Sequence, residues 1–223
     1  MGKRIISQRR GRGTSTYRAP ARKFRLALTY KNKQGKVIDI VSDPARDSPL
    51  AKVRYADSSS GYLIAPEGLR VGDSLEAFSM PIGQIAEGSQ IFAIETYPNS
   101  GPKLCRTPGS AALVLSKGSK TCIIQLPSKK KKKLNLQCRA SIGTPAGEGR
   151  ADKPWVKAGK RVAAMRARGK LYPRTSATAM NAVDHPFGGG GYGKVRPPVS
   201  RNTPPGRKVG TVSPKRTGRR KRK

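Results

Sequence analysis

The sequence predicts a mainly β fold: two small barrels in tandem, with little helix, carried between two long, basic, irregular arms. Three observations predict it. Short runs of strand-forming residues recur through the middle of the chain at roughly 8–12-residue spacing, as in a small barrel. The 25 glycines and 18 prolines mark many turns rather than long helices. Charge is also unevenly placed. Residues 1–34 hold eleven basic side chains and no acidic one, while residues 35–95 hold nine of the twelve carboxylates against five basic residues. That balanced middle is the part able to fold by itself.

Along the chain, residues 36–41 read as a strand, and Asp43-Pro44 and Ser48-Pro49 bracket a turn. Residues 51–55 alternate with period two, as a half-buried strand does. Residues 61–65 form a third strand ended by Pro66-Glu67-Gly68, and residues 73–78 a further one. Pro81 begins a turn. In the second series, residues 89–95 read as a strand, and residues 111–115 and 122–126 pair across the Ser116–Ser119 turn. Residues 134–143 form the last strand, and the five lysines 129–133 lie in a loop before it. The plain reading of those lysines is a solvated turn; with two basic arms on the same chain, phosphate contact is favoured.

The arms read differently. Gly11 and Gly13 interrupt any helix in the N-terminal block, and its charge repels itself, so it stays disordered until phosphates neutralise it. From residue 150 onward there are 21 basic residues against Asp152 and Asp184. Only residues 158–168 have helix-forming content, and residues 195–223 are a Pro/Gly/Arg/Lys arm without periodicity. Between them, residues 171–194 hold the single histidine, His185, and the glycine run 188–191. Pro173 and Pro186 remove backbone donors. Nothing local packs the His185 ring in this reading, and the segment orders only against a partner.

Charge defines that partner. The chain carries 47 Lys+Arg against 12 Asp+Glu, a net charge of +35, which calls for a dense polyanion, phosphate backbone first. An anionic membrane is disfavoured, since no run of 18 apolar residues and no basic amphipathic helix is evident, and the N-terminus lacks the apolar run of a secretion signal. Cys105, Cys122 and Cys138 form no CxxC pair, and one histidine does not complete a usual zinc set; they read as reduced strand cysteines. A hydrolase would want a nucleophile and an orienting carboxylate around His185. Asp184 is adjacent, but neighbours in an extended segment point to opposite sides. The reading is therefore not an enzyme, with no catalytic residue, metal ligand or cofactor. A free nucleic-acid condensing or chaperoning protein is the alternative, although it would need neither two barrels nor an irregular histidine loop.

Several stretches carry a resemblance. These are residues 43–53, from Asp43-Pro44-Ala45-Arg46 to Val53, then Gly143-Thr144-Pro145-Ala146-Gly147-Glu148-Gly149-Arg150, Asp152-Lys153-Pro154, Pro205-Gly206-Arg207-Lys208-Val209-Gly210, and above all Met180-Asn181-Ala182-Val183-Asp184-His185-Pro186-Phe187-Gly188-Gly189-Gly190. The chain resembles the universal large-subunit ribosomal protein family L-two, over nearly its whole length. The Asp-His-Pro-Phe wording is similar to archaeal and eukaryotic members, and the chain is shorter than eukaryotic ones. Ala182 stands where many members carry proline, which loosens the backbone before Val183.

The resemblance implies an OB-like barrel over residues 35–80 and an SH3-like barrel over 81–160, between extensions 1–34 and 161–223 threaded into ribosomal RNA. It implies a structural constituent of the large subunit, cytoplasmic, that shapes RNA near the peptidyl-transferase region and supports subunit association. Its partners are large-subunit ribosomal RNA and neighbouring ribosomal proteins, with a small-subunit contact and no membrane or small-molecule substrate. The RNA contacts fall on Arg4, Arg9, Arg10, Arg12, Arg18 and Arg22; on Lys129, Lys130, Lys131, Lys132 and Lys133; on Lys153, Lys157, Lys160, Arg161, Arg166, Arg168 and Arg174; on Asn181, His185, Phe187, Gly188, Gly189 and Gly190; and on Lys194, Arg196, Arg201, Arg207, Lys208, Arg219 and Arg220.

Overall fold

A computed structural model describes residues 3–20, 26–190 and 198–214. The chain divides into two compact units, one of residues 21–160 and one of residues 1–20 with 161–223.

The first unit is the β part, and its two sheets are the OB-like and SH3-like barrels. β1 (Gly35–Val41), β2 (Leu50–Tyr55) and β3 (Ser60–Ile64) form an antiparallel sheet in chain order. Their inward positions, Val37, Ala51, Val53, Tyr55 and Leu63, pack into one buried cluster with Leu75 and Phe78. Residues 73–78 are a correction to the sequence reading. Leu75–Ala77 is a turn of 3-10 helix, not a strand. Leu75 and Phe78 stand three apart and both are buried, the spacing of one helical turn over the end of the sheet. Asp-Ser-Leu-Glu-Ala-Phe fits both periods over so short a run.

The second sheet has six antiparallel strands in the order β4-β9-β5-β6-β7-β8. They are β4 (Ser79–Pro81), β5 (Gln90–Phe92), β6 (Ala112–Lys117), β7 (Thr121–Gln125), β8 (Lys131–Asn135) and β9 (Arg139–Ile142). Its core holds Ile82, Ile91, Ile94, Val114, Cys122, Ile124, Leu134, Cys138 and Ala140. Three readings change here. The strand at 89–95 stops at Phe92, because Ala93 takes φ 51° and turns the chain. The strand at 134–143 is two strands: the Asn135 side chain accepts the Gln137 N–H at 2.9 Å, and the Asn135 carbonyl accepts the Cys138 N–H at 3.1 Å, a local turn of the Asx kind. Three of the five lysines also leave the loop, while Lys129 and Lys130 stay in the turn. Lys129 turns the chain at φ 61°, and Lys131, Lys132 and Lys133 pair with Gln125, Ile124 and Ile123. β8 is a sheet edge, where charged side chains oppose pairing with another chain.

Residues 26–30 join this unit. Leu28 bridges to Tyr62, and the Tyr30 hydroxyl donates to the Ala93 carbonyl at 2.9 Å and lies 3.0 Å from Ser141 Oγ. Burial pushes the Tyr30 phenol well above its usual pKa, with Glu95 adding to the effect and Arg139 and the Ser141 hydrogen bond opposing it. Leu50, Ile64, Phe92 and Ala93 form a buried cluster between the two sheets. Beside it the buried Glu95 carboxylate accepts the N–H groups of Gly101 (2.8 Å), Arg139 (3.0 Å) and Asn99 (3.3 Å). This backbone cage holds the 95–101 loop to β9. The cysteines are free and burial raises all three thiols; of the three, Cys122 lies in a strand.

Candidate nucleic-acid interface

The second unit begins from one apolar pair in a basic block. Ile5 is buried, and α1 (Ile6–Gly11) starts directly after it. Gln8 Oε1 accepts the Ile5 N–H at 3.2 Å, closing the first turn. Lys3 donates its N–H to the Val183 carbonyl at 3.0 Å, and its ammonium lies 3.5 Å from Asp184 Oδ1. The N-terminal block therefore has structure of its own, against the expectation of disorder, because Ile5 and Ile6 supply the apolar surface that its charge conceals. α2 (Ala158–Ala167) follows the expected helix. It ends at Gly169, whose φ is 62° and whose added Cβ would lie 2.5 Å from Ala19 N. Only glycine lets the helix end meet the residues after α1.

The histidine loop is likewise closed from within. Asn181 O accepts the N–H groups of Asp184 (3.0 Å) and His185 (3.2 Å), His185 O accepts that of Gly188 (2.9 Å), and Met180 O accepts that of Gly189 (3.2 Å). Gly188 is buried, and a Cβ there would stand 2.3 Å from Met180 O and 2.4 Å from Asn181 O. The glycine run is thus first a device for folding the loop on itself. The His185 ring is packed too, contrary to expectation. Its Nδ1 accepts the Phe187 N–H at 3.0 Å, and the two rings meet edge to face at 5.1 Å. With Nδ1 occupied as acceptor, Nε2–H is the ring's remaining donor.

Against this loop α1 forms two open clefts. One is lined by Arg4, Ile6, Arg9, Thr175, Met180, Asn181 and Asp184. The other is lined by Ile6, Ser7, Arg10, Pro173, Arg174, Thr175, Ser176, Met180 and His185, with Leu171 and Ala177. Arg4, Arg9, Arg10 and Arg174 have no carboxylate partner among the described residues. Four arginines against the single carboxylate of Asp184, which pairs with Lys3, leave this surface net positive and suited to an anion.

Comparison with known proteins decides the family. The model described as the RNA-binding N-terminal domain of ribosomal proteins L2 matches residues 3–77, and the model of the C-terminal domain of ribosomal proteins L2 matches residues 76–209. The chain belongs to the ribosomal protein L2 family. It is similar to the large ribosomal subunit protein uL2 of Natronomonas pharaonis, at 45% identity over 98% of this chain and 97% of that protein. The same protein of Haloarcula marismortui is 44% identical over 98% of each chain. That of Methanocaldococcus jannaschii is 45% identical over 99% of this chain and all of its own.

In this L2-family chain the expected contact residues fall into separate places. Arg4, Arg9, Arg10, Arg174, Asn181 and His185 come together around the two clefts. Arg12 caps the end of α1 and Arg18 ends the next short turn. Arg161 lies over the Tyr172 ring at 5.0 Å, and Arg166 stands in the last turn of α2, with Arg168 just beyond it. Arg201, Arg207 and Lys208 lie on a loop closed by a Val199–Val212 bridge. In that loop Gly210 (φ 81°) meets Phe187, whose Cζ would be 2.8 Å from an added Cβ. Phe187 is therefore a packing residue of this unit, not a free ring. Gly189 packs against Ala182, and Gly190 is exposed. In the barrel unit, Lys131, Lys132 and Lys133 are on the β8 edge, Lys129 and Lys130 are in the turn before it, and Lys153, Lys157 and Lys160 are exposed. Arg22, Lys194, Arg196, Arg219 and Arg220 lie outside the described residues. The sequence reading missed Ile6, Thr175 and Met180, each of which lines both clefts. The available signal was Ile5-Ile6 inside an otherwise polar block, with Gln8 at the capping position.

Proposed function

We propose that this chain is a structural constituent of the large ribosomal subunit, in the cytoplasmic ribosome, that binds and shapes ribosomal RNA through its basic arms. The observation that carries the reading is the cluster of arginines around the α1 clefts, none of which is ion-paired to a carboxylate among the described residues. Membership of a family whose N-terminal domain is described as RNA binding supports it. Lys and Arg neutralise phosphates where RNA helices crowd together, and the compact glycine-bearing loop enters where larger side chains do not fit.

The finer reading places the His185 loop near the peptidyl-transferase region, with a supporting role in subunit association. Neighbouring ribosomal proteins and a small-subunit contact are the further partners. The barrels act as the folded body from which the arms reach, and nothing in this role requires proton transfer by His185. Binding of the full chain to large-subunit RNA across a salt series tests the reading. If about six phosphates are neutralised, the log–log slope is about −4 to −5, and deleting residues 219–223 makes it shallower. A slope near zero refutes the mechanism. Failure of the protein to sediment with large subunits in moderate salt refutes the assignment to that subunit.

A further inference from the structure

We propose that the cleft formed by α1 and residues 171–185 takes a single unstacked RNA nucleotide, not a stretch of paired helix. This rests on the RNA-binding reading above. The cleft is about 340 Å³, near the lower end of ligand sites of about 300–1,000 Å³, so it suits one nucleotide rather than a duplex.

Its chemistry has three parts. Ile6, Pro173 and Met180 give apolar surface for the flat face of a base. Arg10 and Arg174 give positive charge with no carboxylate partner among the described residues. His185 gives a directed donor: Nδ1 is held by the Phe187 N–H, which leaves Nε2–H for an acceptor on a base edge or ribose. Apolar surface, cation and directed donor together are how proteins hold splayed-out bases of single-stranded RNA. Paired A-form RNA keeps the faces of its bases stacked inside the helix and its major groove too deep and narrow for side chains, and would leave the apolar wall uncovered. The neighbouring cleft shares Ile6 and Met180 but is also lined by Asp184, whose charge opposes a phosphate. Among the described residues, none that lines the cleft holding His185 is acidic.

The test uses the full chain and two RNA hairpins with the same stem, one fully paired and one carrying a single bulged 2-aminopurine. The bulged hairpin is expected to bind about tenfold tighter, as one added stacking contact would give, with a change in 2-aminopurine fluorescence on binding. Met180→Ala removes apolar wall without removing charge, and is expected to abolish that preference. Arg174→Ala, at an exposed position, repeats the test should Met180→Ala disturb the loop; it is expected to reduce the preference as well. Equal affinity for the two hairpins, or a preference that survives both substitutions, overturns the proposal. Loss of binding to both hairpins by the unmodified protein at low salt overturns the RNA-binding reading itself.

Discussion

Gly188→Ala adds one methyl group to the loop that holds His185, and the structure sets its effect. The new Cβ would stand 2.3 Å from Met180 O and 2.4 Å from Asn181 O, where carbon contacts ordinarily begin near 3.5 Å. Both obstacles are backbone, so a rotamer change does not relieve the clash and the loop must open by about 1 Å. The two carbonyls accept three hydrogen bonds, from Gly189 to Met180 and from Asp184 and His185 to Asn181. At about 1 kcal/mol each, their loss destabilises the closed loop by about 3 kcal/mol, or two decades in its opening constant. Amide hydrogen exchange reads this directly. Exchange at Asp184, His185 and Gly189 is expected to be about a hundredfold faster, while amides of β2 and β7, whose cores lie in the other unit, keep their protection. Gly159→Ala is the control: an added Cβ there meets nothing within 4 Å, and it strengthens α2 by up to about 1 kcal/mol. Unchanged protection at Gly189 in the Gly188 variant would refute the packing argument, as would a lowered thermal transition of the barrels.

Glu95→Ala strands the Asn99, Gly101 and Arg139 N–H groups and is expected to destabilise the barrel unit by about 3 kcal/mol or more, with Glu95→Gln costing less; urea unfolding of the full chain checks both. The Tyr30 phenol has its folded pKa raised by burial. The stability it contributes is therefore fully present below the unfolded value of about 10 and falls as pH rises beyond it. Tyr30→Phe should remove that alkaline loss while costing about 1 kcal/mol at neutral pH, as unfolding curves at pH 7 and 11 will show. His185→Ala removes the acceptor of the Phe187 N–H and is expected to leave the thermal transition of the barrels within about 0.5 kcal/mol of wild type. Reconstituted subunits containing that variant are expected to join small subunits, or form peptide bonds, more slowly; rates equal to wild type would make the loop a spacer.

The two sheets were legible where alternation was long enough to exclude other periods. Val37, Val53 and Leu63 face one core and their strands read correctly. Six residues at 73–78 were too few, and the helical turn that buries Leu75 and Phe78 was hidden in a pattern that also fits a strand. The break between β8 and β9 depends on one Asn135 side chain bonding backwards, chemistry that competes with strand formation without altering hydropathy. The site was legible in composition and in the histidine motif, since Arg4, Arg9, Arg10, Arg174 and His185 all reach the clefts. Its internal architecture was not. Charge density in the first 20 residues outweighed Ile5 and Ile6 as a signal, and the packing of Gly188 on Met180 is a property of three dimensions. Glu95 gave no sign of its role, because a carboxylate satisfied wholly by backbone N–H groups leaves no partner to find in the sequence.

The Lys3 N–H meets the carbonyl of Val183, a residue translated about 180 positions later. At roughly 5–20 residues per second, α1 waits on the order of ten to forty seconds for its other wall. Both barrels are complete in sequence by then. A chain truncated by stalling or cleavage between residues 160 and 170 contains every residue of the β core and presents α1 with nothing opposite it. Joining residues 3–10 to residues 171–185 makes the cleft a record that translation has passed residue 185. RNA that selects for the cleft selects at the same time for chains that carry both walls, and a shorter fragment with intact barrels fails that selection without being misfolded.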